Sequence, residues 1–131
     1  MTLNEQRKTN KKRRHAVIVE ERMYVLHTEV DVREYFRIYE SEGLPVQREI
    51  LGGFLGYFTT EFGVQNQLVH LWAYPDLEER RKRRARLAEQ PQWQACIAKI
   101  RPMIRTMENR IMVPTAFSPL PGALLGSART A

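Results

Sequence analysis

Residues 56–74 read GYFTTEFGVQNQLVHLWAY, two runs rich in β-branched and aromatic side chains on either side of Phe62-Gly63-Val64-Gln65-Asn66. Such runs around a turn bearing Gly and Asn predict a β-hairpin. Strand side chains alternate, so Leu68, His70, Trp72 and Tyr74 share one face while Val69, Leu71 and Ala73 share the other. Imidazole, indole and phenol together on one face, beside a plain aliphatic face, predict a lined cavity or an interface.

The flanking segments extend the hairpin into a fold. Residues 17–26 are β-branched and aromatic and predict a first strand. Asp31 followed by Glu34 has the spacing of a capping box, and Val32, Tyr35, Phe36 and Tyr39 then recur at helical spacing. Gly43 is expected to end that helix in the left-handed conformation, and Pro45 to open a short second helix closed by Gly52-Gly53. Asp76 with Glu79 repeats the cap, and Pro91 interrupts the helix it starts. Trp93, Cys96, Ile97, Ile100 and Ile104 form a further apolar stripe, with Pro102 ending it near Arg101. Residues 106–113 predict a last strand. The order strand, helix, strand, strand, helix, strand is the α+β ferredoxin-like βαββαβ arrangement, an antiparallel sheet with helices on one face. Its other face needs a cover, and pairing two sheets across a two-fold axis would close a dimeric α+β barrel with His70, Trp72 and Tyr74 near the interior. A homodimer is the expectation.

Charge and composition narrow the partners. The net charge of +6 is concentrated in residues 1–15, where six basic residues face only Glu5, leaving the remainder of the chain near neutral. We expect residues 1–15 to be a disordered basic extension, residues 16–113 the domain, and residues 114–131, rich in Pro, Gly, Ala and Ser, a C-terminal tail or exchanged arm. No run approaches the roughly 18 apolar residues of a membrane span. The single cysteine, Cys96, rules out an intramolecular disulfide, and the basic N-terminal residues are not followed by the apolar stretch of a secretory signal. A cytoplasmic location is expected.

Arg80-Arg-Lys-Arg-Arg84 with Arg86 invites a nucleic-acid reading, but Glu78 and Glu79 stand four residues before Lys82 and Arg83, the order favoured for helix ion pairs. No nucleic-acid fold signature or phosphate loop accompanies the run, which disfavours nucleic acid as a partner.

The chemistry centres on the barrel. His70 is the candidate catalytic residue, as a general base or ligand. Trp72, Tyr57 and Tyr74 suit stacking on a flat ligand. Glu20, Arg22 and Tyr24 share a face of the first strand, where Glu20 and Arg22 can pair and Arg22 can anchor a negative group. Glu108 and Arg110 repeat that pattern in the last strand, with Asn109 on the opposite face. No CxxC, HExxH or comparable spacing is present, so no protein-caged metal and no cofactor is expected. A single axial haem ligand needs no motif and stays open as a role for His70. Each of these residues has a plain structural alternative: a hydrogen-bonded core histidine, a register-fixing salt bridge, aromatic core.

The segments VEERMYVL at 19–26, YESEGLPVQREILG at 39–52, GYFTTEFG at 56–63, NQLVHLWAYPDLEERRKRRARL at 66–87 and ENRIMVPTAFSP at 108–119 together resemble the NIPSNAP family in order and spacing. The resemblance covers roughly residues 17–119. It implies the same βαββαβ core and a homodimer whose sheets form a barrel, and it implies no established reaction. Two functions follow as expectations: a small-ligand-binding or interaction module, or a small monooxygenase or isomerase-like enzyme acting on a flat hydrophobic substrate or haem. Whether the chain is an enzyme is left open by its residues.

Overall fold

The computed structural model describes residues 2–4 and 17–120. Most of the expected basic extension, and the tail beyond residue 120, lie outside the described residues. The elements run β1 (Ile18–Leu26), α1 (Val32–Ile38), a π-helical turn (Tyr39–Gly43), α2 (Leu44–Leu51), β2 (Phe54–Thr59), β3 (Gln67–Tyr74), α3 (Leu77–Ala88), α4 (Pro91–Ile100), a 3-10 turn (Arg101–Met103) and β4 (Ile104–Met112). The four strands form one antiparallel sheet in the order β2-β3-β1-β4. The α+β ferredoxin-like architecture is therefore observed.

Local chemistry explains most boundaries. Asp31 accepts a hydrogen bond from the Arg33 amide at 2.9 Å, and Asp76 accepts one from the Glu79 amide at 2.7 Å, so each carboxylate caps its helix. Gly52 closes α2 at φ +63°, a conformation that favours glycine. Gly43 behaves differently from expectation. Its φ is −108°, and the chain continues through the π turn into α2 rather than stopping. Glycine is needed there for space: a Cβ would lie 2.8 Å from Cys96 Sγ. Pro91 opens α4 at its first turn, where a missing amide proton costs nothing, and Ile104 starts β4 instead of extending the helical stripe.

The helices pack on a single sheet face in two clusters. Tyr24, Leu26 and Leu68 meet Tyr35, Ile38 and Tyr39 of α1 and its π turn, and Cys96 and Ile100 of α4. Trp72 and Tyr74 meet Val46 and Leu51 of α2 and Leu87 of α3. This corrects the expected sheet parity. The face carrying His70, Trp72 and Tyr74 lies under the helices, and the aliphatic face of β3 is the open one. Large rings fill the gap between sheet and helices, and Trp72 is fully buried there. The open face presents Glu21, Met23 and Val25 of β1, Val69 and Leu71 of β3, Phe58 of β2, and Arg110 and Met112 of β4. Phe58 is 53% exposed, and Arg110 pairs with Glu21 across the strands at 2.8 Å.

Candidate functional site

Alternation along β1 and β3 brings Glu20, Arg22 and Tyr24 opposite Trp72, His70 and Leu68 on the helix-covered face. The expected pair is present: Arg22 Nη1 donates to Glu20 Oε2 at 3.0 Å, and Arg22 Nε donates to the Tyr24 hydroxyl at 2.9 Å. Two further partners complete it. Arg80 of α3 donates from Nε at 3.2 Å and Nη2 at 2.6 Å, and Asn109 of β4 donates from Nδ2 at 2.8 Å. Four donors saturate this fully buried carboxylate. Burial pushes the Glu20 pKa up, but the hydrogen bonds from Arg80 and Asn109 and the charge of Arg22 outweigh it and hold the carboxyl down at about 2. Glu108 and Arg110 stay out of this cluster, on the opposite face.

The sequence offered a signal for Arg80, though not one specific to this role. Arg80, Arg84 and Leu87 step by four and three, so the first two occupy the inward face of α3 that Leu87 occupies one turn later. The rest of the arginine run is tied down too: Arg81 pairs with Glu78 and Arg83 with Glu79, while Arg83 Nη1 and Arg86 Nη2 donate to the Leu51 and Ile50 carbonyls. The run is largely fold-stabilising charge.

His70 is enclosed by aromatic rings. Tyr57 stacks on it at 4.4 Å between centroids with 6° between planes, and Tyr24 meets it edge-on at 4.9 Å. Trp72 Nε1 donates to His70 Nδ1 at 2.7 Å. Indole nitrogen is a donor only, so Nδ1 must hold the lone pair and Nε2 the proton of a neutral imidazole. A flipped ring would place carbon against the indole N–H. Burial, with the charges of Arg22 and Arg84 opposing the smaller favourable effect of Glu20, depresses the His70 pKa to about 3. Nε2 in this tautomer is a donor, which fits neither a general base nor an axial haem ligand. Trp72 and Tyr57 also have other ring partners inside the protein: Trp72 packs on Phe54, and Tyr57 on Phe36 and Tyr39.

Among the described residues, three buried side-chain polar atoms lack a hydrogen-bond partner: His70 Nε2, the Tyr74 hydroxyl and Arg84 Nη1. Arg84 faces Tyr74 closely enough to oppose the rise that burial imposes on the Tyr74 pKa, and its charge reaches His70. Arg84 and the Tyr74 hydroxyl are close enough for a weak side-chain hydrogen bond to lower the Tyr74 pKa, but no well-formed bond joins them. Buried polar atoms are nearly always satisfied, so these three are exceptions among the described residues. No group of His, Cys, Asp or Glu among the described residues could hold a metal ion.

A family model described as NIPSNAP matches residues 19–119. The chain belongs to the NIPSNAP family. A NIPSNAP family protein from Agrobacterium tumefaciens has a solved structure 43% identical in sequence, with a TM-score of 0.78 over 81% of this chain and 92% of that one. NipSnap of Drosophila melanogaster is 36% identical over 66 residues, half of this chain and 24% of the fly protein. The chain thus spans about a quarter of the length of the curated NIPSNAP relatives it matches. Beyond the NIPSNAP proteins, the fold is shared with SnoaB, a cofactor-independent oxygenase from Streptomyces nogalater, at 18% identity and a TM-score of 0.53 over 81% of this chain and 98% of that one.

Proposed function

We propose that the protein binds a small molecule at the polar site between β1, β3 and α3, as a homodimer. The three unpartnered buried atoms carry this reading. Leaving a buried donor or acceptor unsatisfied costs about 1–3 kcal/mol each, and a ligand that satisfies all three recovers that cost on binding. His70 then serves as a hydrogen-bond donor, Tyr74 and Arg84 as its companions, Glu20 and Arg22 as the frame, and Trp72 and Tyr57 as the walls that fix the imidazole. The homodimer rests on the open face. Met23, Val25, Phe58, Val69, Leu71 and Met112 form an apolar sheet surface over which no helix of the described residues packs, and two such sheets packing about 10 Å apart would bury it. A cytoplasmic setting belongs to the same proposal, in keeping with a single buried free cysteine.

Native mass spectrometry of the protein as isolated reads both parts. The expected spectrum is a dimer carrying a small molecule in stoichiometric amount. A monomer removes the barrel, and a dimer without any adduct, as isolated and after incubation with small organic acids and amides, removes the binding reading. The alternative, a monooxygenase or isomerase-like enzyme acting on a flat substrate, draws on one observation: the same donors suit an oxyanion developing during reaction. Recovery of the bound molecule chemically unchanged after aerobic incubation would exclude it.

A further inference from the structure

β4 ends the sheet order β2-β3-β1-β4, so among the described residues only β1 pairs with it. Residues 105–111 of this strand are all exposed, including Met107 at 45% and Ile111 at 38%. The direction of its backbone groups follows from β1. The Leu26 amide donates to the Asn66 carbonyl on the β3 side, and the His27 amide donates to the Met103 carbonyl on the β4 side, each at 3.0 Å. Alternation then turns the backbone groups of Glu21, Met23 and Val25 toward β4, where Arg110, Glu108 and Thr106 meet them. Met107, Asn109 and Ile111 therefore point their N–H and C=O groups away from the sheet. A long edge of this kind is a template for another strand, and proline, which would block it, is absent from Ile104–Met112.

We infer that β4 pairs antiparallel with β4 of a second copy of this chain, about a two-fold axis at Asn109. The backbone directions allow only registers that set outward-pointing residues opposite one another. Charge selects one of these. Centring on Asn109 places Glu108 opposite Arg110 of the second copy and Met107 opposite its Ile111, each twice by symmetry. Centring on Glu108 or on Arg110 sets like charges directly opposite, which is destabilising, and centring on Met107 or Ile111 loses both ion pairs. In the Asn109 register, residues 107, 109 and 111 make the hydrogen-bonded pairs. Residues 108 and 110 then make the closer, non-hydrogen-bonded pairs, where opposite side chains meet best. Arg110, bonded to Glu21 within its own chain, keeps 62% of its side chain exposed for a second carboxylate. This goes beyond the homodimer proposed above, which uses the open face, by adding a contact through the rim of the sheet. Glu108 and Arg110 stand where rim and open face meet, so one two-fold axis can serve both contacts.

The test follows association of the full-length protein by native mass spectrometry and sedimentation over a dilution series. Ile111→Pro removes an outward N–H and no bond to β1, so it should raise the dissociation constant about tenfold or more with the far-ultraviolet circular dichroism unchanged. Glu108→Arg and Arg110→Glu each set like charges opposite and should each weaken self-association. Mixed together, those two variants should associate with one another in preference to themselves. The double variant with both changes reverses the pair at constant net charge and should associate as the wild type does. If Ile111→Pro fails to fold, the charge variants decide alone. Val69→Lys, in the middle of the open face, probes the face contact separately. Loss of association in Val69→Lys but not in Ile111→Pro overturns the edge contact and leaves the face-to-face homodimer standing. The reverse pattern overturns the face contact alone. Charge variants that mix without preference overturn the Asn109 register, and a monomeric wild type overturns both contacts.

Discussion

A buried neutral imidazole makes stability depend on pH in a window set by that residue. His70 has its folded pKa depressed to about 3, against 6.5 when unfolded, because burial penalises the charged ring and Arg22 and Arg84 oppose it. The unfolded chain therefore binds a proton below pH 6.5 that the folded chain refuses. The stabilisation is complete above pH 6.5 and is lost progressively as pH falls toward 3. At about 1.36 kcal/mol per unit, lowering the pH from about 7 to about 5 removes about 2 kcal/mol. Glu20, whose folded pKa is about 2, loses stabilisation only below its unfolded value near 4.5, so it contributes little to the change above that value. Urea unfolding at pH 7 and pH 5, at one protein concentration, should show a midpoint lower by about 1 M at pH 5 for an ordinary urea dependence. His70→Asn keeps an acceptor near Trp72 Nε1 but cannot titrate, so most of that difference should vanish, whatever stability the variant loses at pH 7. A wild-type midpoint unchanged between pH 7 and 5, or a His70→Asn variant with the full wild-type slope, would refute the buried neutral histidine.

Two other substitutions probe the packing around the site. Glu20→Gln leaves Arg22 and Arg80 without their buried counter-charge and should cost about 3–5 kcal/mol by chemical denaturation, whereas a loss below about 1 kcal/mol would show those guanidiniums to be adequately solvated without it. Gly43→Ala drives a methyl group against Cys96 Sγ and should cost about 1–3 kcal/mol. Combining it with Cys96→Ala should return part of that loss, and strict additivity in the double-mutant cycle would disprove the clash.

The element order was readable because the punctuation is chemical: Asp31 and Asp76 cap helices, Gly52 ends one, and the hairpin turn carries Gly63 and Asn66 at positive φ. The sheet parity was not readable. Both faces of β3 are apolar enough to be covered, Val69 and Leu71 on one and Leu68 and Trp72 on the other, so alternation separates the faces without naming the inner one. The Glu20–Arg22 pair could be seen from its two-residue spacing. Arg80 and Asn109 could not, because their sequence separations of 60 and 89 residues from Glu20 are bridged only by the fold. Arg84 was obscured by its neighbours: a run of five basic residues reads as a solvated helix face, and two of them, Arg81 and Arg83, do pair with glutamates on α3.

The saturated carboxylate of Glu20 also bears on how a chain like this can drift in evolution. One side chain of β1 holds a strand neighbour, a helix and the sheet's edge strand at once, so no single change at that position is neutral. Replacing Glu20 alone strands two cations, and replacing Arg80 or Asn109 alone strips the anion of part of its coordination. A lineage can leave this arrangement only by exchanging positions 20, 22, 80 and 109 as a block, with an apolar set or a differently charged one. In descendants, those four positions should be inherited together even where the loops between them have diverged beyond recognition.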